Sequence, residues 1–467
     1  MRVTMKNVGK ISDAEIIVDG LTVIAAPNNT GKSTIGKAIF AAFDAFTDFH
    51  NNVRNDQIHS ISRMLQQKYP TAQKCRFLQN VSLLSGDFPH LESVGKVLSS
   101  YIVQTYNKNT ISEEDLILSL REYNPDFNDI QHPGKTYQYL DSNEEFVHAL
   151  KLIASDLTRD SEESHKIRIE ILSFLNIDIN ILSTQLVDRY FNHFFKGQFT
   201  SEFINSPNYS TLVLEDQKSH TIRKLSFKNG KCTEVNPLKD EHRRVFILDD
   251  PRIPESFGRT SNSDARYVNR LLDAVANQQN QVEDNPVSGL TEAVSNSEAV
   301  QQITDMLNSS FDGHIEFDDK GNPVLSTNAS VKEPIQLTNA SMGVKAYTTL
   351  RYLIENAIVH DGDILVLDEP EIHLHPEWQV AYAHALVLTA KLLGIRLIIT
   401  THSPFFLKAL VAYSDTERIA DATHYYTAKE NPEGPVSFHE IDGEGIAKLY
   451  ARMAAPLMKI DSDVRHA

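Results

Sequence analysis

Ala26-Pro27-Asn28-Asn29-Thr30-Gly31-Lys32-Ser33-Thr34 follows the apolar run Leu21-Thr22-Val23-Ile24-Ala25. Behind it, Ile35, Ala38, Ile39, Ala42, Phe43 and Phe46 recur at helical spacing. A buried strand, a tight loop and a helix, in that order, make the setting that a phosphate-binding loop requires. Successive backbone N–H groups there form an anion nest, and the helix start adds positive partial charge. In this pattern Asn28, Asn29, Thr30, Gly31 and Thr34 surround a triphosphate, Lys32 reaches its β- and γ-phosphates, and Ser33 holds Mg²⁺. The general pattern opens with Gly; here Ala26 stands first, and one methyl group leaves the cradle plausible.

A second strand-like run, Ile364-Leu365-Val366-Leu367, ends in Asp368-Glu369-Pro370. A buried parallel strand presents its carboxyl end to a ligand crevice. There Asp368 suits Mg²⁺ and Glu369 suits the polarisation of an attacking water. Taken alone, the run is equally a strand followed by an acidic turn. A third run, Leu397-Ile398-Ile399-Thr400, ends at Thr401-His402-Ser403-Pro404, where a neutral imidazole can hydrogen-bond a γ-phosphate. Ser341-Met342-Gly343-Val344-Lys345 opens a helix marked by Tyr347, Leu350, Leu353 and Ile354. Ser341 is a natural N-cap, Gly343 allows close backbone approach to an anion, and the helix start is a candidate second phosphate site, though taken alone it reads first as an ordinary capped helix.

The chain has 467 residues, room for two to four domains at about 150 residues each. A net charge of −17 excludes a surface that attracts nucleic acid everywhere, so any DNA contact needs a local basic patch. Lys218, Arg223, Lys224, Lys228 and Lys231 are the densest basic run, open to two readings: a solvated strand face or a DNA contact. Cys75 and Cys232 form no pair motif, which suits a reducing, cytoplasmic setting. The most apolar stretch, Ala381 to Thr400, is broken by His384, Lys391 and Arg396 and reads as helix then strand, with no membrane span.

Residues 50–195 read as mostly helical. Ser112-Glu113-Glu114-Asp115 and Ser142-Asn143-Glu144-Glu145 look like capping boxes, with breaks at Asn124-Pro125 and His132-Pro133-Gly134. Strands return between 209 and 248. Asn277 to Asn296, rich in Gln, Asn and Ser, reads as a mobile loop. A hairpin is expected from His314 to Ser326.

Together and in this order, these motifs resemble an ABC-type ATPase head of the RecF and SMC kind. Ala26 to Thr34 matches Walker A, Ile364 to Glu369 matches Walker B, and His402 matches the switch histidine. Ser341 to Lys345 resembles the signature in its Ser-x-Gly-x-Lys form, and not the Leu-Ser-Gly-Gly-Gln form of transporters. The stretch Met5 to Thr34 and the segment Asp368 to Pro376 are similar to prokaryotic relatives of this group. The resemblance covers roughly the first fifty residues and the last two hundred and seventy. No residue is assigned to the family's Q-loop glutamine.

The resemblance implies an α/β fold: an ABC-type P-loop ATPase head, 1–49 and 200–467, with a mostly parallel core sheet and an antiparallel β subdomain. A helical insertion, 50–199, divides it. It implies an ATPase with ATP and Mg²⁺, in which Ser341, Gly343 and Lys345 of one subunit complete the nucleotide site of its partner in a homodimer or a higher oligomer. Glu371, His373 and His375 could supply three of four zinc ligands, but they fall in the loop that lines the dimer interface in relatives. After His402 too little chain remains for the Toprim nuclease of OLD-type ATPases. The loop set resembles standalone anti-phage ATPases of the Septu and PARIS systems, which implies a nucleotide-gated scaffold for a separate effector such as an HNH nuclease. The alternative is a RecF-like clamp on DNA in repair.

Overall fold

The computed structural model describes residues 1–47, 49–69, 76–79, 91–106, 111–123, 137–138, 143–201, 203, 208–238, 243–258, 266–284, 290–327, 334–431 and 434–465. The chain forms two compact units, one of residues 1–47 with 184–467 and one of residues 48–183.

The first unit begins with strands β1 (Arg2–Val8), β2 (Ile11–Ile17) and β3 (Leu21–Ala25) and helix α1 (Lys32–Asp44). All five residues of β3 are buried, the mark of a strand covered on both faces. Gly36 in α1 is a packing requirement: a Cβ there would lie 2.5 Å from Val366 Cγ1.

The second unit holds helices α2 (Phe49–Lys68), α3 (Val94–Thr105), α4 (Glu113–Glu122), α5 (Asn143–Leu157) and α6 (Glu162–Leu175). It also holds a small antiparallel sheet of β4 (Arg76–Gln79), β5 (Leu91–Ser93) and β6 (Tyr137–Gln138), which the mostly helical reading lacked. Leu65, Leu98, Ile102, Leu116, Leu150, Leu157 and Ile171 form its core. The expected capping box at Ser112 is present, with Ser112 Oγ accepting from the Asp115 amide and Asp115 Oδ2 accepting from the Ser112 amide. The expected breaks at 124–125 and 132–134 lie outside the described residues, as does Ser142 of the second box.

The chain continues through α7 (Ile179–Phe195), β7 (Tyr209–Glu215), β8 (Thr221–Lys228), β9 (Lys231–Asn236) and β10 (Val245–Leu248). Helices α8 (Arg266–Asp284) and α9 (Leu290–Asn308) follow. They correct the expected loop at 277–296: helix covers both sides of residues 285–289, which lie outside the described residues. Polar composition suggested a loop, but Gln, Glu and Ala are good helix formers. Buried Leu271, Leu272 and Val275 anchor one helix, and Ile303 and Leu307 the other.

The expected hairpin is β11 (Gly313–Phe317) with β12 (Pro323–Thr327), joined by β13 (Ile335–Gln336). Then come α10 (Met342–Glu355), β14 (Ile364–Asp368), α11 (Pro376–Leu393), β15 (Arg396–Thr401), α12 (Pro404–Thr416), β16 (Thr423–Glu430), β17 (Val436–Glu440) and α13 (Gly443–Arg465).

Eleven strands form one sheet in the order β10-β14-β15-β3-β16-β17-β2-β1-β7-β8-β9. The first five run parallel. Beyond them pairing is antiparallel except between β17 and β2. This is the α/β fold, with a parallel core and an antiparallel extension. Among the described residues no helix is long and apolar enough to cross a membrane.

The basic run does not form one surface. Arg223 is buried with its guanidinium 3.7 Å from the centroid of the Phe46 ring, and Lys224 pairs with Glu234 at 2.9 Å.

Candidate functional site

Five parallel strands bring their carboxyl ends to one edge of the sheet, where an open α/β sheet places its ligand crevice. The end of β3 supplies the phosphate loop. Gly31 takes the left-handed conformation, φ 93°, immediately before α1, and a Cβ on it would also crowd Ile11 Cγ1 at 3.2 Å. Asn28 and Asn29 are exposed, while Thr30 is buried and donates its hydroxyl to Pro27 O at 2.9 Å. Ser33 and Thr34 are half-buried in the first turn of α1. Lys32 is 4% exposed. Its Nζ donates to Ala26 O at 2.7 Å and Pro27 O at 3.0 Å, and meets Glu369 Oε1 at 3.0 Å.

Two strands away, β14 ends in Asp368, and Glu369 follows it. Asp368 Oδ1 accepts from Thr400 Oγ1 at 2.5 Å. Glu369 has φ 50°, an uncommon conformation for a residue with a side chain, and its amide donates to Thr400 Oγ1 at 3.0 Å. Its second oxygen lies 3.4 Å from His402 Nδ1. The structure thus brings Lys32, Glu369 and His402 into one chain of contacts.

Sequence reasoning missed two acidic groups here. Asp249 follows β10, which pairs in register with β14 through Leu248 and Leu367, so Asp249 and Asp368 leave neighbouring strand ends together. Asp249 Oδ2 accepts from the Tyr267 hydroxyl at 2.9 Å and lies 3.7 Å from Lys37 Nζ; Oδ1 is buried with no hydrogen-bond partner among the described residues. Burial pushes the Asp249 carboxyl above its ordinary value, and the charge on Asp368 pushes it the same way. With Lys37 only partly offsetting the two carboxylates, the orphaned buried acceptor beside Asp368 fits a divalent cation. The β10 strand gave no motif to read; its pairing with β14 is what makes Asp249 notable.

The other is Glu371, noticed in the sequence beside His373 and His375 but given no role at this site. It faces the loop after β15. Its Oε1 accepts from Thr401 Oγ1 at 2.6 Å and from the amides of His402 at 3.1 Å and Ser403 at 3.3 Å. His375 meanwhile caps α11, accepting from the Glu377 amide at 3.4 Å. These residues serve separate partners, and no group of three metal-ligating side chains occurs among the described residues.

At the start of α10, Ser341 is exposed and caps the helix, accepting from the Val344 amide at 3.3 Å. Gly343 has a nearer reason than an anion to lack a side chain: a Cβ would sit 2.5 Å from His373 O. Lys345 is buried and donates to Glu255 Oε1 at 2.8 Å and Thr338 O at 3.1 Å, so its ammonium is turned inward. No hydrogen bond or ion pair among the described residues joins this helix start to the phosphate loop.

Beside the loop opens a cleft of about 790 Å³, lined by Ala26, Pro27, Thr30 and His402 on one side and by Lys429, His439 and Arg452 on the other. Its size falls in the range of small-molecule sites.

No curated protein matches the chain. Among solved structures it is similar to the SMC head domain from Thermotoga maritima, at 11% identity over 94% of this chain and 98% of that one, with a TM-score of 0.36. It is similar also to an SMC head bound to the C-terminal winged-helix domain of ScpA, at 11% identity over 96% and 98%, with a TM-score of 0.38. Likeness at this level says nothing of activity. The family model described as an AAA ATPase domain (AAA_15) matches residues 1–407, most of the chain and every site residue named above except those lining the far side of the cleft. The chain belongs to that AAA ATPase domain family.

Proposed function

We propose that this protein hydrolyses ATP to ADP and phosphate with Mg²⁺, at sites shared between two copies of the chain. The observation that carries the reading is the contact chain Lys32–Glu369–His402, with spacings of 3.0 Å and 3.4 Å, at the carboxyl ends of parallel strands. Lys32 and the loop amides hold the triphosphate. Ser33 and Asp368 would hold the metal, with Thr400 fixing the Asp368 carboxylate. Bound there, Mg²⁺ neutralises charge that develops on the phosphates. When Lys32 turns to phosphate, Glu369 is released to orient water and take its proton, and His402 bonds the γ-phosphate.

Pairing of two copies is supported by the exposed cap Ser341 and by apolar side chains left in solvent around the site. Ile372, 53% exposed, lies on the loop that carries Glu369, and Phe405, 49% exposed, lies in the first turn of α12 just after His402. Head-to-tail pairing would bring Ser341 and Gly343 of one copy to the phosphates held by the other. Sedimentation of Glu369→Gln protein with and without ATP tests this; self-association that ignores nucleotide would sink the shared site.

We further propose that the ATPase is a nucleotide-gated scaffold controlling a separate effector, such as a nuclease, in anti-phage defence. Sequence resemblance supports this reading, and a co-purifying nuclease from the neighbouring gene tests it. The rival, a RecF-like DNA clamp, has a reduced basic run: Arg223 is buried and Lys224 is paired, while Lys218, Lys228 and Lys231 stay exposed. Binding to duplex DNA with a steep salt dependence would restore it.

A further inference from the structure

Glu371 has no part in the chemistry just described, yet it is the most enclosed carboxylate at this edge of the sheet, 1% exposed. A buried carboxylate is costly unless its oxygens are bonded. One oxygen is saturated: Oε1 accepts from the Thr401 hydroxyl and from two successive amides, those of His402 and Ser403. The other, Oε2, has no hydrogen-bond partner among the described residues. Burial pushes this carboxyl above the usual range, and the Thr401 hydroxyl and the amides of Glu371 itself and His402 oppose that push.

The donors to Oε1 are the turn that bears His402. The imidazole itself is 41% exposed, and its neighbours are Glu369 Oε2 at 3.4 Å and Glu371 Oε1 at 3.7 Å. Little else holds the ring, so its place follows from its backbone. A second tie runs beside the first. Gln379 Nε2 donates to the carbonyls of Glu371 and Leu374 at 3.3 Å and 3.1 Å, while its Oε1 accepts from Ser403 Oγ at 2.8 Å. Both ties join the loop after β14, which carries Glu369, to the loop after β15, which carries His402.

We propose that Glu371 is a positioning residue: its buried carboxylate fastens the Thr401–Ser403 turn so that the His402 imidazole stands beside Glu369. This rests on the ATPase reading for its consequence, while the fastening is a property of the fold alone. A carboxylate that accepts two amides and a hydroxyl fixes their spacing more tightly than water would, and a misplacement of about 1 Å at a reacting centre can cost on the order of a hundredfold in rate.

The test compares Glu371→Ala and Glu371→Gln, each alone and with His402→Ala, by steady-state ATP hydrolysis and by amide hydrogen exchange over residues 401–406. Glutamine keeps an acceptor oxygen of the same reach, so it guards against an alanine variant that fails to fold. We expect Glu371→Ala to lower kcat by roughly thirtyfold to a hundredfold with KM for ATP within about threefold, and the glutamine variant to recover most of the loss. In the His402→Ala background Glu371→Ala should cost nothing more, because both act through one imidazole. The His402 and Ser403 amides should exchange at least about tenfold faster in the alanine variant and not in the glutamine variant. The proposal is overturned by an additive loss on His402→Ala, by a glutamine variant no better than alanine, or by unchanged exchange. A wild type without ATPase activity overturns the ATPase reading instead, and the exchange comparison then decides the fastening by itself.

Discussion

Lys32 and Glu369 form an ion pair of 3.0 Å in which the lysine is almost wholly buried and the glutamate mostly so. Lys32 Nζ also donates to the carbonyls of Ala26 and Pro27. On the proposed reading, a phosphate reaching Lys32 has to compete with Glu369. Removing the glutamate charge takes away this internal competitor. Glu369→Gln should bind a non-hydrolysable ATP analogue about threefold to tenfold more tightly than wild type while losing turnover. Lys32→Ala should lose binding altogether. Calorimetry with the analogue checks both, and weaker binding by the glutamine variant would show that the pair does not compete with nucleotide.

A shared site predicts complementation. In a homodimer of Lys32→Ala both phosphate loops are lost, and in a homodimer of Ser341→Arg both helix caps are blocked. Mixing the two leaves one composite site whole, with Lys32 from one copy and Ser341 from the other. An equimolar mixture of two inactive proteins should regain roughly a quarter of wild-type activity if sites act independently and copies pair at random. No recovery on mixing, at concentrations where dimers form, would argue for sites built within single chains.

Gly36 offers a stability test. Alanine is the better helix former by about 1 kcal/mol, so an open position would gain from Gly36→Ala. Here the added methyl meets Val366 Cγ1, and overpacking of this kind costs about 1–3 kcal/mol. We expect net destabilisation in urea unfolding, relieved when Val366 is shortened to Ala in the same chain. Simple additivity would mean that α1 moves freely away from β14.

Cys232 lies buried in β9, and burial pushes its thiol up to about 12. At pH 8 its thiolate fraction falls on the order of a thousandfold below that of a free cysteine. Alkylation at Cys232, followed by mass spectrometry of its peptide, should be slow in native protein and fast in denaturant. Rapid native labelling would show that β9 opens readily from the sheet edge.

The strand, loop and helix around Lys32 were legible because everything they need is local: five apolar residues, a glycine for φ 93°, and a helical apolar stripe. Asp368, Glu369 and His402 were legible because buried parallel strands are continuous apolar runs that stop abruptly at polar residues. Other features depend on pairing that no local pattern encodes. Asp249 becomes part of the site only through the register of β10 on β14. Arg223 looked like a surface cation until the sheet placed it over Phe46. Glu371 was noticed for its histidine neighbours, whereas its bonds are with a turn thirty residues onward. The stretch 277–296 misled because polar helix faces and polar loops share a composition.

One consequence of the strand order concerns synthesis on the ribosome. The loop at 26–34 is translated well ahead of β15 and β16, which end at residues 401 and 430 and between which β3, the strand that aims it, lies. A nascent chain therefore carries the complete loop sequence long before it owns a nucleotide site, while residues 48–183 emerge early enough to gather their own core. Such distant pairing slows folding and leaves the early strand without its flanks during elongation. A ribosome stalled before residue 396 should display a product with Lys32 in place and no capacity to retain ATP.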